Sequence, residues 1–138
     1  MIEGISHITF VVRDLDKTTA MFKELFGAEE VYDSGDKPRS ISRERFFSIG
    51  GQWIAVMENP EIVNRTYHHV AFKIRDEDIG VYQEKIRALG LEMRPPRPRI
   101  NGEGQSIYVY DYDNNLFELH TGTLEERLRA YREADGGG

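Results

Sequence analysis

One short pattern occurs twice in this chain, and it restricts the possible folds more than any other feature of the sequence. The segments Ser6-His-Ile-Thr-Phe-Val-Val-Arg-Asp and His68-His-Val-Ala-Phe-Lys-Ile-Arg-Asp align with a histidine at the same place in each, His7 and His69, 62 residues apart. Each copy leads into a helix-like stretch that ends at a glycine, Gly27 and Gly90, 63 residues apart. Two copies of this length mark a duplicated domain rather than a solenoid. The two histidines then sit on equivalent strands related by pseudo-twofold symmetry, a natural way to build a metal site.

The first module, about 1–60, opens with strict alternation over Ile5 to Val12. Ile8, Phe10 and Val12 face one side and His7, Thr9 and Val11 the other, the period of a strand. Asp14 can cap a following helix whose Leu15, Thr19, Phe22 and Phe26 share one face, with Gly27 just past its end. Strands are expected around Glu30–Tyr32, Arg45–Ile49 and Trp53–Glu58, with Gly50-Gly51 as a hairpin turn.

The second module, about 67–121, repeats this order. It has a strand at Tyr67–Ile74, a helix at Asp78–Leu89 with Ile79, Tyr82, Ile86 and Leu89 on its apolar face, and strands near Glu92–Arg94, Ser106–Tyr110 and Leu116–Thr121. The turn between the last two is Asp111–Asn115. Pro95-Pro96-Arg97-Pro98-Arg99 is a loop, because three prolines remove ladder donors. Thr123 with Glu126 reads as a capping box for a terminal helix over about 123–133, to which Leu124, Leu128 and Tyr131 give one apolar side. The tail Gly136–Gly138 is expected to fray. The whole is an α+β chain of tandem βαβββ modules forming a single domain over 1–138.

No stretch approaches the ~20 apolar residues of a membrane span, and the N-terminus has no basic region followed by a long apolar one, so a cytoplasmic protein is expected. The chain has no cysteine, which excludes thiolate ligands and a cysteine nucleophile, and any metal must be held by nitrogen and oxygen. A net charge of −6 argues against a nucleic-acid partner.

In the last strand Leu116, Glu118 and His120 share a face. One repeat length before Glu118 stands Ala55, so three of the four pseudo-symmetric positions carry ligand-type side chains: His7, His69 and Glu118. A buried glutamate in an otherwise apolar strand needs a cation nearby. Two histidines and a carboxylate suit Mn²⁺, Fe²⁺ or Zn²⁺ in a site that also holds substrate or water. His120 is open to a supporting role behind the ligands or a surface role, and His68 is structural. Asp111-Tyr-Asp-Asn-Asn starts like a calcium loop but has Leu116 where the turn glycine belongs. Asn101-Gly-Glu-Gly-Gln lacks the ending of a phosphate-binding loop and is expected to be a flexible rim.

On these residues the sequence resembles the vicinal oxygen chelate superfamily and, within it, the fosfomycin resistance proteins of the metal-dependent epoxide hydrolase type. The resemblance runs from Gly4 to Leu128 and rests on His7 with Thr9, Ser34-Gly-Asp-Lys, Phe46-Phe with Trp53-Ile, Arg65-Thr-Tyr-His-His, Gly102-Glu-Gly-Gln-Ser-Ile-Tyr and Asn114-Asn-Leu-Phe-Glu-Leu-His. It implies a half-barrel around a metal, with His7, His69 and Glu118 as ligands and Mn²⁺ as the metal. It also implies a homodimer with exchanged modules, so that each site takes ligands from both chains. The implied substrates are fosfomycin and water. Thr9, Trp53, Ser106, Tyr108 and Arg127 match substrate-binding positions, and Arg94 is favoured over Arg97 as the further basic contact. At least two of Arg94, Arg97 and Arg99 are expected to be solvated loop charges. Glu44, expected just before a strand, matches the general base of the hydrolase type. A thiol transferase acting on the same epoxide is the nearest rival. An Fe²⁺ extradiol dioxygenase and a sequestering protein that binds without reaction are more distant ones.

Overall fold

The computed structural model describes residues 1–37 and 40–136. Its elements are β1 (His7–Val12), α1 (Leu15–Phe26), β2 (Glu29–Asp33), β3 (Glu44–Ile49), β4 (Gln52–Glu58), β5 (His69–Lys73), α2 (Ile79–Ala88), β6 (Met93–Arg94), β7 (Ser106–Tyr110), β8 (Leu116–His120) and α3 (Leu124–Ala134). The last two glycines of the tail lie outside the described residues. A 3₁₀ turn over Asp76–Asp78 precedes α2, which therefore starts later than the sequence pattern indicates.

The fold is α+β, with two four-stranded sheets of the same topology, β1-β4-β3-β2 and β5-β8-β7-β6. In each sheet the first strand runs parallel to the last, and the remaining neighbours are antiparallel. The duplication is exact in register at the site positions: Thr9 pairs with Ala55, and Ala71 pairs with Glu118. By chain contacts the protein divides into two compact units, one holding Met1–Arg65 with the turn Asp111–Asn115, the other Thr66–Tyr110 and the chain from Leu116 on.

In the first unit Asp14 caps α1 by accepting the Lys17 N–H at 3.0 Å, and Gly27 ends the helix in the left-handed region at φ 62°. Leu15, Met21, Phe22 and Leu25 are buried with Phe47, Ile49, Ile54 and Val56, and Phe22 meets Phe47 edge-on at 5.3 Å. Each side chain of this kind contributes about 1.5–3 kcal/mol by leaving water. Gly50 and Gly51 both have positive φ, 56° and 82°, the requirement of the two-residue turn between Ile49 and Gln52. Arg45, buried on the helix side of the sheet, donates to Thr19 Oγ1, Asp16 Oδ1 and Asp33 Oδ2 and so ties α1 to β2 and β3.

The Asp111–Asn115 segment is a hairpin turn. Asp111 Oδ1 accepts the N–H groups of Asp113 and Asn115, both at 2.8 Å. Asp113 also accepts Arg13 Nε at 2.7 Å, and Asn115 donates to the Val11 carbonyl at 3.1 Å.

In the second unit Ile86 of α2 is fully buried with Ile74, Ile107, Val109, Phe117 and Leu119, while Ile79, Tyr82 and Leu89 are half-buried. Thr123 and Glu126 form the reciprocal capping box of α3. The inward residue of α3 is Ala130 rather than the expected apolar side, for Leu124 is 73% and Leu128 45% exposed. The backbone of the loop at Gly102 runs so close to Ala130 that a side chain there would stand 3.3 Å from the Ala130 Cβ.

Candidate functional site

Strand pairing sorts the site residues into rows, because directly paired residues point to the same face of a sheet. In the first unit the rows are His7–Trp53–Ser48, Thr9–Ala55–Phe46 and Val11–Met57–Glu44. His7, Thr9, Trp53 and Glu44 therefore share the face opposite α1. The Trp53 indole stacks on the His7 ring at 4.1 Å between centroids and meets Phe46 edge-on at 5.1 Å. Ser6 Oγ lies 3.0 Å from His7 Nδ1.

Glu44 is the first residue of β3 rather than a residue before it, since its pairing with Met57 extends the ladder. Its backbone N–H donates to Ser34 Oγ at 3.0 Å, and its carbonyl accepts the Ser34 N–H at 3.0 Å. The residue is 9% exposed, and among the described residues no donor is bonded to its carboxylate.

In the second unit the rows are His69–Leu116–Tyr110, Arg94–Tyr108–Glu118–Ala71 and Ser106–His120–Lys73. Glu118 is 5% exposed. His69 Nδ1 lies 2.7 Å from the Tyr67 carbonyl, which can only accept, so the neutral ring carries its proton there. That tautomer turns the Nε2 lone pair toward Glu118 Oε1 at 3.0 Å. Two acceptors at such a distance need a proton or a cation between them. Two ligand atoms at right angles and about 2.1 Å from one divalent ion stand about 3.0 Å apart, so the pair fits a metal. With nitrogen and carboxylate donors and no thiolate, the donor set suits Mn²⁺. Among the described residues no three His, Asp or Glu side chains are grouped as a metal cage, and His69 with Glu118 is the pair brought together.

The other oxygen of Glu118 is held from behind. Ser106 Oγ donates to Glu118 Oε2 at 2.6 Å and lies 2.7 Å from His120 Nδ1, and Arg127 Nη2 lies 3.2 Å from His120 Nε2. The one consistent assignment runs Arg127 to His120 Nε2, His120 Nδ1–H to Ser106, and Ser106 to Glu118. It requires a neutral imidazole, and burial, the largest influence on the ring, pushes the His120 pKa down. His120 is thus a supporting residue behind Glu118. Burial, then a hydrogen bond with Tyr67 and the charge of Glu118, push the Tyr108 hydroxyl up, which keeps it protonated.

The arginines of the proline-rich loop depart from expectation. Arg94 donates to the Tyr110 hydroxyl at 3.1 Å and lies over the Tyr67 ring. Arg97 bonds to Glu103, and Arg99 reaches Glu103, the Tyr108 hydroxyl at 3.0 Å and Glu118 Oε2 at 3.4 Å. None of the three is simply a solvated charge, and Arg99 is the one beside Glu118. The glycine-flanked rim is not loose either, for Glu103 is 2% exposed. Sequence reasoning missed Arg99, Glu103 and Tyr131; the available signal was a lone acid between glycines just downstream of three arginines.

The model of the Glyoxalase/Bleomycin resistance protein/Dioxygenase superfamily matches residues 4–119. Over 133 residues the chain is 56% identical to the fosfomycin resistance protein FosX of Listeria monocytogenes serovar 1/2a, covering 96% of this chain and all of that one. It is 36% identical over 138 residues to the metallothiol transferase FosB of Shouchella clausii, covering 96% of this chain and 90% of that one. A crystal structure of a glutamate-to-glutamine variant of the Listeria monocytogenes FosX, complexed with Mn(II) and 1S,2S-dihydroxypropylphosphonic acid, matches with a TM-score of 0.87. Its identity is 58%, over 94% of this chain and 99% of that one.

Proposed function

The chain belongs to the glyoxalase, bleomycin resistance protein and dioxygenase superfamily, and from that premise we propose that it is a Mn(II)-dependent fosfomycin resistance enzyme that opens the epoxide with water to give the vicinal diol. The observation that carries the reading is 56% identity, over the full length of FosX, to a protein crystallised in variant form with Mn(II) and a dihydroxypropylphosphonic acid. His69 and Glu118, already facing each other, hold the metal together with His7. His7 comes from a second copy of the chain in a homodimer with exchanged modules, each site a half-barrel built from both copies. When bound, the metal supplies Lewis-acid stabilisation of the charge that develops on the ring oxygen.

The chain's own groups supply the rest. Glu44 takes a proton from water as the water oxygen bonds to a ring carbon and the carbon–oxygen bond of the ring breaks; the opened oxygen takes a proton from solvent and Glu44 returns its own to solvent, so that the net change is addition of one water. Thr9, Trp53 and Tyr108 line the substrate pocket, and Ser106 and Arg127 support it through Glu118 and His120. Arg94, Arg97 and Arg99 are the cationic groups of this segment, and Arg99 is better placed than Arg94 for a phosphonate beside Glu118. The enzyme works in the cytoplasm, in keeping with the absence, among the described residues, of any helix long and apolar enough to cross a membrane.

A thiol transferase acting on the same epoxide is a second reading, favoured by the similarity to FosB. Phosphorus NMR of fosfomycin with the Mn(II)-loaded protein separates the two. Diol in thiol-free buffer, lost with Glu44→Gln, supports the hydrolase; product only when a thiol is added overturns it.

A further inference from the structure

Glu103 is the least exposed charged residue described, at 2%, yet it lies in a loop that has no sheet pairing of its own. Its Oε1 accepts from Arg97, from the Tyr131 hydroxyl at 2.8 Å and from Arg99 Nη1 at 3.4 Å, and its Oε2 accepts the Ile100 N–H at 3.0 Å. The Arg97 hydrogen bond, with those of Tyr131 and Ile100, outweighs burial and holds the carboxyl at about 2, so it is ionised.

The loop around it is pressed onto the β8–α3 junction. Gln105 and Thr121 exchange two hydrogen bonds, at 2.9 and 3.0 Å. A Cβ on Gly104 would stand 2.8 Å from the Gly122 nitrogen, and one on Gly122 would stand 2.8 Å from the Glu103 carbonyl oxygen. Glu103 is therefore a fixed anchor, with α3 on one side and the arginines on the other.

Arg99 is what the anchor aims. Its side chain is 10% exposed, with Nη1 on Glu103 and Nη2 between Tyr108 and Glu118. Its Nε is buried and, among the described residues, has no hydrogen-bond partner. Without Glu103 the guanidinium would be drawn fully onto Glu118, whose Oε2 stands at the edge of hydrogen-bonding distance from Nη2, 3.4 Å.

We propose that Glu103 is a positioning residue for the reaction: by sharing the Arg99 guanidinium with Glu118 it fixes that cation beside the His69–Glu118 pair, where its charge meets an anionic group of the substrate. This rests on the reading of a phosphonate substrate and adds a residue of α3, Tyr131, to the machinery through Glu103.

The test is a double-mutant cycle on the Mn(II)-loaded protein with Glu103→Gln, Arg99→Lys and the pair. It is read as KM and kcat for fosfomycin and, independently of turnover, as calorimetric affinity for sulfate. Glu103→Gln is expected to raise KM and weaken sulfate binding about tenfold, with a smaller change in kcat, as fits the loss of a charge-assisted contact. Added to Arg99→Lys it costs no more than about twofold further, because the two act as one unit. Tyr131→Phe, which removes one hydroxyl from the anchor, shifts both readouts about two- to threefold the same way and serves if Glu103→Gln does not fold. Multiplicative effects, or unchanged KM and sulfate affinity in a folded variant, overturn the proposal. Should the wild type fail to convert fosfomycin, the functional reading falls while the sulfate cycle still decides the coupling of Glu103 to Arg99.

Discussion

His69 Nε2 and Glu118 Oε1 face each other across 3.0 Å, and the Tyr67 carbonyl accepts the N–H of the other ring nitrogen, so in the neutral ring both facing atoms are acceptors. This pair leaves a place for a cation, and the neighbours on the same face keep it there: Ser106 holds the far oxygen of Glu118, and Tyr108 meets the imidazole edge-on at 5.7 Å.

Removing the charge from this pair should remove the metal. Glu118→Gln keeps the size and the burial of the side chain but replaces a carboxylate ligand by a neutral amide. Mn(II) affinity, followed by electron paramagnetic resonance of the free ion, is expected to fall at least ~100-fold, while the metal-free protein melts within a few degrees of wild type. Retained Mn(II) binding would remove Glu118 from the ligand set.

Glu44 should separate binding from chemistry. Its carboxylate has no donor among the described residues, and its strand position is set by backbone bonds to Ser34 and by pairing with Met57, so Glu44→Gln leaves the sheet intact. Loss of a general base lowers turnover by about 10²–10⁴-fold. The expected variant binds Mn(II) and fosfomycin as the wild type does and forms diol at that reduced rate. A variant that lost its metal would contradict the assignment.

The legible part of the protein is the part written in local periodicity. Alternation in β1 placed His7 and Thr9 on one face, glycines marked the helix ends, and the repeat length carried Glu118 onto Ala55, which the registers Thr9–Ala55 and Ala71–Glu118 reproduce. Strand ends were less legible: the fifth strand covers His69–Lys73 rather than Tyr67–Ile74, and Glu44 joined β3 through a ladder that depends on the partner strand. The Arg99–Glu103–Tyr131 cluster had no pattern to read. Prolines remove the loop from any ladder, and the contacts that order it join side chains from a loop and a helix 28 residues apart. His120 was ambiguous for the same reason, since its partners Ser106 and Arg127 reach it from β7 and α3.

Ser106→Ala tests the support behind the metal pair. It leaves Glu118 Oε2 without its 2.6 Å donor and His120 Nδ1 without its partner, in a place where water has little access. Outer-sphere partners of this kind are worth about 10–100-fold in metal affinity, so the variant should bind Mn(II) more weakly by that factor. Ser106→Thr, which keeps the hydroxyl, should recover most of the loss. Equal behaviour of the alanine and threonine variants would show that the hydroxyl does not act on Glu118.

Acid should loosen the loop before it unfolds the sheets. The Glu103 carboxyl is held at about 2, below its ordinary 4.5, chiefly by Arg97. A carboxyl depressed on folding adds stability that is fully present above its unfolded value and is lost as pH falls toward its folded one. The window is therefore from about 4.5 down to about 2. In the wild type, the protection of the Ile100 and Glu103 amides, taken relative to the intrinsic exchange rate at each pH, should fall across that window, ahead of that of Val109 in β7. Glu103→Gln cannot titrate and removes the ionic hold at every pH, so its loop should already exchange fast at neutral pH, with a shallower further response to acid. The same acid response in wild type and variant would mean that another group governs the loop, and Glu103 would lose its place as the anchor.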